Sequence, residues 1–413
     1  MLLFCLAFAQ SQDTIRVMHY NLLNYGNNYG DCNSSNNNVD DKNSYLKTLV
    51  AHIDPDILTV NEIDESNYYH DYLLDNVFNT GGGSQYKRVD LPNLANSPIM
   101  NQVFYNGGNL TLLSNVAVET NYRDIDILTF EYASTSTQPP VQFRCIVAHL
   151  KAGSDPEDAQ ERASETYKLM NYLNEQGLDG NFILAGDLNL YSGSESAFQN
   201  LLLYGNESLR FYDPLNKVGE WHANAFFAGI HTQSTHISGD CPSGGGMDDR
   251  FDFILASKEI IQGSSGMKYI PASYRAVGQD GMRFDQSLIN PANNSVPQDV
   301  LAALYGMSDH LPLVMDLEMG IEPGSILEND IPVQLAFKNP AKGPVSMSLT
   351  ALQPMEVEIR IIDQAGRVKW ACKRAAGPEP ILLQADQLAP GLYFIVVRSG
   401  SATPLARKLV VAD

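Results

Sequence analysis

The sequence predicts an α/β domain of packed sheets flanked by helices, followed by a smaller domain built of strands alone. Across residues 13–319, strand-like apolar runs alternate with a few segments of helical spacing, which is typical of layered sheets and helices. Beyond residues 320–330, a linker of Pro, Gly, Glu and Asn, only short alternating strands follow. A chain of 413 residues, 44% of them hydrophobic, can bury the cores of one large and one small domain.

The elements of the large domain can be predicted in chain order. Buried or alternating apolar runs predict strands at residues 14–23, 56–63, 101–105, 110–113, 125–132, 141–150, 181–184, 250–256 and 312–317. Helical spacing predicts helices at residues 44–53, 66–78, 156–176 and 197–203. Residues 24–43 are rich in Asn, Gly and Asp and are predicted to form a loop. The long polar segment 263–306 is expected to act as a lid or specificity loop.

Residues 1–12 have the composition of an export signal. They are apolar and contain Ala7-Phe8-Ala9, a small-x-small cleavage pattern. Basic residues normally precede the apolar part and are missing here, so we expect a signal peptide that is shortened at its start. The alternative is a buried N-terminal strand. No stretch approaches the ~18 apolar residues that would cross a bilayer, so no transmembrane segment is expected.

The charge of the chain is strongly acidic and unevenly distributed. Residues 1–322 carry a net charge of −23 and residues 323–413 a net charge of +2, which together give −21. This argues against a protein that binds nucleic acid through a basic patch. It does not exclude an enzyme that meets phosphates through bound metal ions.

Five cysteines are present, and two of them have similar surroundings. Cys32 and Cys241 each follow an aspartate in a polar loop. One disulfide between them, or two free thiols, are the two alternatives. No Cys or Cys/His spacing typical of a zinc site occurs.

Polar residues that can bind metal or move protons stand at the ends of the predicted strands. In α/β folds, ligands bind where strand ends and their loops converge. Carboxylate and amide oxygens suit hard cations such as Mg²⁺, and a histidine can accept a proton near neutral pH. Any one of these positions is weak evidence, but together they predict one site, formed by Asn21, Glu62, His149, Asp187, Asn189, Asp252, Asp309 and His310.

In this order, the residues resemble the endonuclease/exonuclease/phosphatase superfamily over residues 14–318. The specific motifs are Gly186-Asp187-Leu188-Asn189 and Ser308-Asp309-His310-Leu311. The resemblance implies a four-layer α/β sandwich, in which two packed, mainly antiparallel sheets are flanked by helices. It also implies a divalent metal: Mg²⁺ or Mn²⁺, with Ca²⁺ as a further option.

The resemblance also implies a role for each residue. Asn21, Glu62 and Asp309 are expected to hold the metal. His310 is expected to activate water or polarise the phosphate, with Asp252 orienting it. The remaining catalytic positions are His149, which is expected to donate to a phosphoryl oxygen, and Asp187 and Asn189, which are expected to position the water or complete the metal site.

The C-terminal residues 331–413 are predicted to form a small β-sandwich. They resemble the sorting domain of bacterial type IX secretion in four segments, Asn339-Pro340-Ala341-Lys342-Gly343, residues 361–367, residues 388–394 and residues 408–411. The alternative is an ordinary β-sandwich binding module. The resemblance implies the type IX machinery as a partner and a protein that is secreted or held at the cell surface.

We therefore expect an exported, metal-dependent phosphodiester hydrolase, a monomer whose favoured substrate is nucleic acid, cleaved as by an endonuclease. A phosphatase or phospholipid phosphodiesterase, of the inositol phosphate or sphingomyelin type, is the main alternative. A catalytically inactive binding protein on the same scaffold is the third.

Overall fold

The computed structural model describes residues 13–80, 85–133, 140–239, 241–320, 333–342, 344–351, 354–363, 366–377, 381–385, 388–399 and 405–412. The predicted signal peptide at 1–12 and linker residues 321–330 lie outside these ranges. The chain divides into two compact units, Met1–Pro323 and Gly324–Asp413, and each is described by itself.

The first unit contains thirteen strands and six α-helices among its described residues. The strands are β1 (Thr14–Tyr25), β2 (Ile57–Asp64), β3 (Tyr86–Arg88), β4 (Ile99–Asn106), β5 (Leu110–Val118), β6 (Ile125–Tyr132), β7 (Val141–His149), β8 (Phe182–Asp187), β9 (Phe211–Tyr212), β10 (Asp252–Ser257), β11 (Met267–Tyr269), β12 (Arg275–Ala276) and β13 (Leu313–Met319). The helices are α1 (Val39–Ile53), α2 (Asn67–Leu73), α3 (Pro156–Glu175), α4 (Ser196–Leu202), α5 (Lys258–Gln262) and α6 (Gln298–Met307). A π-helical turn, Leu74–Phe78, continues α2.

These strands form two sheets. The first has the order β11-β13-β1-β2-β4-β3, with β12 also paired to β13, and the second has the order β5-β6-β7-β8-β10-β9. Each sheet contains one parallel pair, β1–β2 in the first and β7–β8 in the second, and its other pairs are antiparallel. The prediction of two mainly antiparallel sheets is confirmed.

Side chains that alternate along the strands create the layers. On β1, Ile15 and Val17 join the core between the two sheets, whereas Met18 and Tyr20 face the helices α1 and α6. The outer face of the second sheet is covered by α3 and α4 through an apolar cluster that includes Leu169. The first unit is therefore the predicted four-layer α/β sandwich. No helix among the described residues has the length and apolarity needed to cross a bilayer.

Two predicted loops contain regular structure. Within residues 24–43, β1 continues to Tyr25 and α1 begins at Val39, because the Asn38 side chain accepts hydrogen bonds from the first backbone N–H groups of the helix. Within residues 263–306, β11 and β12 pair with β13 and α6 buries an apolar face that includes Leu301 and Leu304. The prediction of one long polar loop was wrong, since short strands and a late helix anchor both ends of the segment.

The second unit consists of strands alone among its described residues. A three-stranded sheet has the order β14-β16-β19 and a five-stranded sheet the order β15-β21-β20-β17-β18. Their bounds are β14 (Val333–Phe337), β15 (Ala341–Lys342), β16 (Val345–Ala351), β17 (Met355–Asp363), β18 (Val368–Ala376), β19 (Ile381–Ala385), β20 (Gly391–Arg398) and β21 (Leu405–Ala412). One apolar cluster fills the interior, so the predicted small β-sandwich is confirmed.

A buried ion pair lies behind the start of β10. Arg250 donates to both carboxylate oxygens of Asp213, at 2.9 and 2.8 Å, and both side chains are 1% exposed. The Arg250 guanidinium also lies 4.4 Å from the centre of the Phe253 ring. Burial disfavours the charged form of Asp213, but the Arg250 guanidinium outweighs it and lowers the pKa of Asp213 below its ordinary value.

Asp213→Ala should lower the free energy of unfolding by about 3–5 kcal/mol, because it leaves the Arg250 charge buried without its partner. Urea unfolding followed by circular dichroism measures this loss. Glu207→Ala is the matched control, since Glu207 pairs with Arg210 at 3.2 Å but is 76% exposed. It should cost less than about 1 kcal/mol. Equal losses in the two variants would contradict the prediction.

Candidate active site

The ends of strands from both sheets meet at one edge of the sandwich. In the second sheet, Asp187 at the end of β8 lies opposite His149 at the end of β7 and opposite Asp252 at the start of β10. In the first sheet, Asn21 on β1 lies opposite Asn61 on β2, one residue before Glu62. The parallel and antiparallel registers therefore bring these side chains to a common edge.

Asn21 connects the two sheets at this edge. Its Nδ2 donates to Glu62 Oε1 and to Asp187 Oδ2, both at 3.0 Å, while its Oδ1 accepts from the Leu23 backbone N–H at 2.9 Å. A second link runs through Asn61, whose side-chain oxygen accepts from the Asp187 backbone N–H at 2.8 Å. The two carboxylates are thereby held close together although they come from different sheets.

His310 is paired with Asp252 deep in the site. Asp252 Oδ2 lies 2.8 Å from His310 Nδ1, and Asp252 Oδ1 lies 3.4 Å from Nε2 of the buried His19. His19 in turn contacts Thr59 Oγ1 through Nδ1 at 3.0 Å. The nearby Arg250 is engaged with Asp213 instead. Asp252 therefore fixes the orientation of the His310 ring and leaves Nε2 directed at the cleft.

Burial and charge act in opposite directions on this pair. Burial lowers the pKa of His310, but the carboxylates of Asp252 and Asp187 outweigh it and raise the pKa well above its ordinary value. Burial also disfavours the charged form of Asp252, yet His310 and His19 lower its pKa overall. The site therefore stabilises an imidazolium next to a carboxylate, which is the charge state that a base reaches after taking a proton.

His149 lies beside the Glu62 and Asp187 carboxylates, and its surroundings favour the neutral ring, in contrast to those of His310. Its Nε2 is 3.8 Å from Glu62 Oε1 and 3.7 Å from Asp187 Oδ2. Burial, together with the nearby Arg123, lowers the pKa of His149 well below its ordinary value. The neutral ring can donate one N–H to a ligand. Asn189 lies next to it, with Nδ2 donating to the Leu150 carbonyl at 3.2 Å.

Asp309 lies on the opposite wall of the site. Its Oδ2 accepts from the Ser243 backbone N–H at 2.9 Å and lies 3.4 Å from Gln233 Nε2. Among the described residues, its buried Oδ1 has no hydrogen-bond partner. Gln233 Nε2 also lies 2.9 Å from His310 Nε2, so this glutamine covers the nitrogen that faces the cleft.

A cleft with about 690 Å³ of empty space opens over these residues. Six of the eight predicted site residues line it: Glu62, His149, Asp187, Asn189, Asp309 and His310. Asn21 and Asp252 lie behind this surface. A disulfide between Cys32 and Cys241 forms part of the wall, so of the two alternatives left open by the sequence the structure has the bonded one.

Four residues around the site were not predicted as part of it: His19, Lys42, Asn61 and Gln233. His19 stands two positions before Asn21 on β1, so strand alternation alone places both on one face. Lys42 is 3% exposed. Burial lowers its pKa to about 7, against the attraction of Asp309 and Glu62. Gln233 lies in an irregular segment, where the sequence carries no signal for its position.

The acidic groups of the site fit a divalent cation. Burial, with the nearby Asp252 and Glu62 carboxylates, raises the pKa of Asp187 to about 7 although His310 opposes this. A nearby cation would stabilise the charged form of such a carboxylate, and hard cations take oxygen ligands of this kind. Among the described residues, three groups bring their ligand atoms within 4.8 Å of one another: Glu62 with His149 and Asp187, Asp187 with Asp252 and His310, and His222 with Asp248 and Asp249. Asp309 belongs to none of these groups, and its assignment as a ligand stays a prediction.

Sequence comparison assigns this fold to a family. Residues 18–310 match the Endonuclease/Exonuclease/phosphatase family, and residues 336–412 match the Secretion system C-terminal sorting domain. Because the first match covers well over half of the chain, this protein belongs to the endonuclease/exonuclease/phosphatase family. Both resemblances inferred from the sequence are confirmed. No curated protein matches the chain.

Solved structures with the same fold include the human Nocturnin catalytic domain with bound sulfate, at 18% identity and a TM-score of 0.46, which covers 75% of this chain and 97% of that chain. D. rerio TDP2 complexed with single strand DNA product has 14% identity, a TM-score of 0.48 and coverages of 75% and 100%. An endonuclease/exonuclease/phosphatase from Beutenbergia cavernae has 13% identity, a TM-score of 0.47 and coverages of 97% and 100%.

Proposed function

We propose that this protein is a divalent-metal-dependent phosphoester hydrolase, in which the eight residues predicted from the sequence form the active site. The observation that carries the proposal is the buried Asp252–His310 pair beside Asp187, which also belongs to the Glu62 and His149 group. A proton acceptor and an acidic, cation-compatible cluster thus share one cleft. Family membership supports the same chemistry.

Each residue then has a definite task. Glu62 and Asp187, with Asn21 and Asp309, would hold the cation, which when bound offsets the charge that develops on the phosphoryl oxygens. When its ring is neutral, His310 Nε2 accepts a proton from the water that attacks phosphorus, while the P–O bond to the leaving oxygen breaks. Asp252 holds the ring tautomer and stabilises the imidazolium that forms. The neutral His149 donates its N–H to a phosphoryl oxygen, and Asn189 positions the water.

Hydrolysis of bis(p-nitrophenyl) phosphate by the purified protein tests the proposal. We expect turnover with Mg²⁺ or Mn²⁺, loss of turnover after EDTA treatment, and recovery when metal is added back. The absence of turnover on every phosphoester tried, with metal bound, would instead support an inactive binding protein on this scaffold.

The sequence favours nucleic acid as the substrate, but the charge of the cleft supports the second candidate, a phosphatase or phospholipid phosphodiesterase. Four carboxylates line the cleft, Asp31, Glu62, Asp187 and Asp309, and no Lys or Arg stands among its described lining residues. Five basic residues of the first unit that could otherwise bind phosphates are engaged elsewhere: Arg88 with Asp71 and Asp90, Arg123 with backbone carbonyls, Lys151 with Asp158, Arg162 with Glu195, and Arg250 with Asp213. A cleft lined by negative charges repels a polyanion more strongly than it repels an ester with a single phosphate.

Parallel assays on plasmid DNA, RNA, sphingomyelin and inositol phosphates distinguish the two candidates. We expect a single-phosphate ester to be the best substrate, with a kcat/KM that changes less than about threefold between 50 and 200 mM salt, since few counterions are released. A preference for DNA, with activity that falls steeply over the same salt range, would favour the endonuclease instead.

The sorting domain supports export. We infer that the type IX secretion machinery recognises residues 336–412 and that the hydrolase acts outside the cell or on its surface. Deletion of these residues should leave the protein inside the producing cell, which fractionation of a type IX-competent host measures.

A further inference from the structure

The end of β1 departs from regular strand geometry beside Glu62. Between its pairings with Asn61 and Ile63, β1 places three residues opposite one, and that one residue is Glu62. Residues 22–24 are called the β1 bulge here. Leu23 and Asn24 have φ angles of 48° and 51°, in the left-handed region that residues other than glycine rarely adopt. Such backbone persists only where neighbouring groups hold it.

Two side chains from one segment hold the β1 bulge. Lys42, in the first turns of α1, donates from Nζ to the carbonyls of Leu22 and Leu23, at 2.6 and 2.7 Å. Asn37, just before α1, donates from Nδ2 to the carbonyls of Leu23 and Asn24, both at 3.0 Å. Lys42 is buried and does not belong to the described residues that line the cleft.

The bulge in turn orients two of the proposed metal ligands. The backbone N–H of Leu23 donates to Asn21 Oδ1 at 2.9 Å, and that of Asn24 donates to Glu62 Oε2 at 3.0 Å. Asn21 Nδ2 completes the arrangement with its bond to Glu62 Oε1. If the bulge relaxed, the Glu62 carboxylate would lose a donor and the Asn21 amide would lose the bond that fixes its rotation.

We propose that Lys42 is a positioning residue, whose ammonium holds the β1 bulge through two carbonyls and thereby aligns Glu62 and Asn21 for a divalent cation. The inference rests on the proposed function. A different role, in which Lys42 serves only as a counter-charge for Glu62 and Asp309, predicts the opposite effect on metal binding. Removal of a nearby positive charge would then strengthen the binding of a cation.

The affinity for Mn²⁺, measured by titration calorimetry on the full chain, distinguishes the two roles. Lys42→Met keeps the length of the side chain and removes its donors, and it should weaken Mn²⁺ binding by about 10–100-fold, as loss of a group that supports a metal ligand does. Lys42→Arg should recover part of this loss. Lys47→Met, on the exposed face of the same helix, is the matched control and should bind as the wild type does. Unchanged or tighter binding by Lys42→Met would overturn the proposal.

A second variant covers the case in which Lys42→Met does not fold, as judged by circular dichroism. Asn37→Ala removes the other support of the bulge and should also weaken Mn²⁺ binding, whereas wild-type affinity would refute the proposal. The two hypotheses fail separately. Metal binding that weakens in these variants without turnover of any phosphoester refutes only the proposed function. Turnover with unchanged metal affinity in the variants refutes only the role of Lys42.

Discussion

His310→Ala should lower kcat for phosphoester hydrolysis by about 10²–10⁴-fold, because general base catalysis is lost. Asp252→Asn should cause a similar fall, of about 10³–10⁴-fold, since the amide favours the wrong tautomer of His310. Because the two residues act as one unit, the double variant should be little worse than either single variant. Steady-state kinetics at saturating metal, with circular dichroism to show that the fold is kept, measures these effects.

His222→Ala provides a matched control for this prediction. His222 Nδ1 lies 2.7 Å from Asp249 Oδ1, so the chain offers a second His–Asp pair, but this histidine is half exposed and does not line the cleft. Its loss should leave kcat within about threefold of the wild type, because a partly exposed ion pair contributes little free energy. Full activity in His310→Ala would contradict the assignment of the base.

Loss of the disulfide should destabilise the first unit more than any single surface change. The bond joins residues 209 positions apart, and the chain-entropy model gives about 5 kcal/mol for a loop of this length. We expect Cys32→Ser with Cys241→Ser to lower the free energy of unfolding by about 3–5 kcal/mol. Both residues line the cleft, so KM should rise as well. Urea unfolding and steady-state kinetics measure the two effects.

The cysteines outside the bond supply the control. Cys372 is free and partly exposed, and Cys372→Ser should leave the unfolding midpoint of the first unit unchanged. Dithiothreitol should destabilise the wild type but not the Cys32→Ser, Cys241→Ser variant. A wild type that is insensitive to reductant would show that the bond adds nothing to stability.

Much of the fold could be predicted because the strands of the sandwich are apolar and alternate regularly. The pattern failed where elements are short: β9 and β12 have two residues each, too few to show a period. It also failed for α6, whose apolar residues Val300, Leu301 and Leu304 are spaced as in a helix but follow a long polar stretch. The polar composition of residues 263–306 as a whole gave no indication of the helix at the C-terminal end of the segment.

The site was predictable to the extent that it lies on strand ends. Asp252 and His310 are 58 positions apart in the chain, yet ordered motifs indicated their pairing, and the geometry agrees. Gln233 and Lys42 were missed for a physical reason, since each reaches the site through the tertiary approach of a loop or a helix. Neither the period of a strand nor the spacing of a motif encodes such an approach.

The residues of the candidate active site come from both sheets. The packing between the sheets therefore affects the geometry of the site as well as the stability of the fold. Asn21 reaches Asp187 across a gap that is set by apolar side chains packed between the sheets, among them Val17, Val147 and Ala185. Protein interiors are close-packed, so a changed methylene there shifts one sheet against the other. The apolar layer thus sets the distance between the site residues of one sheet and those of the other. We therefore expect substitutions in this layer to lower the activity through misalignment of the reacting groups.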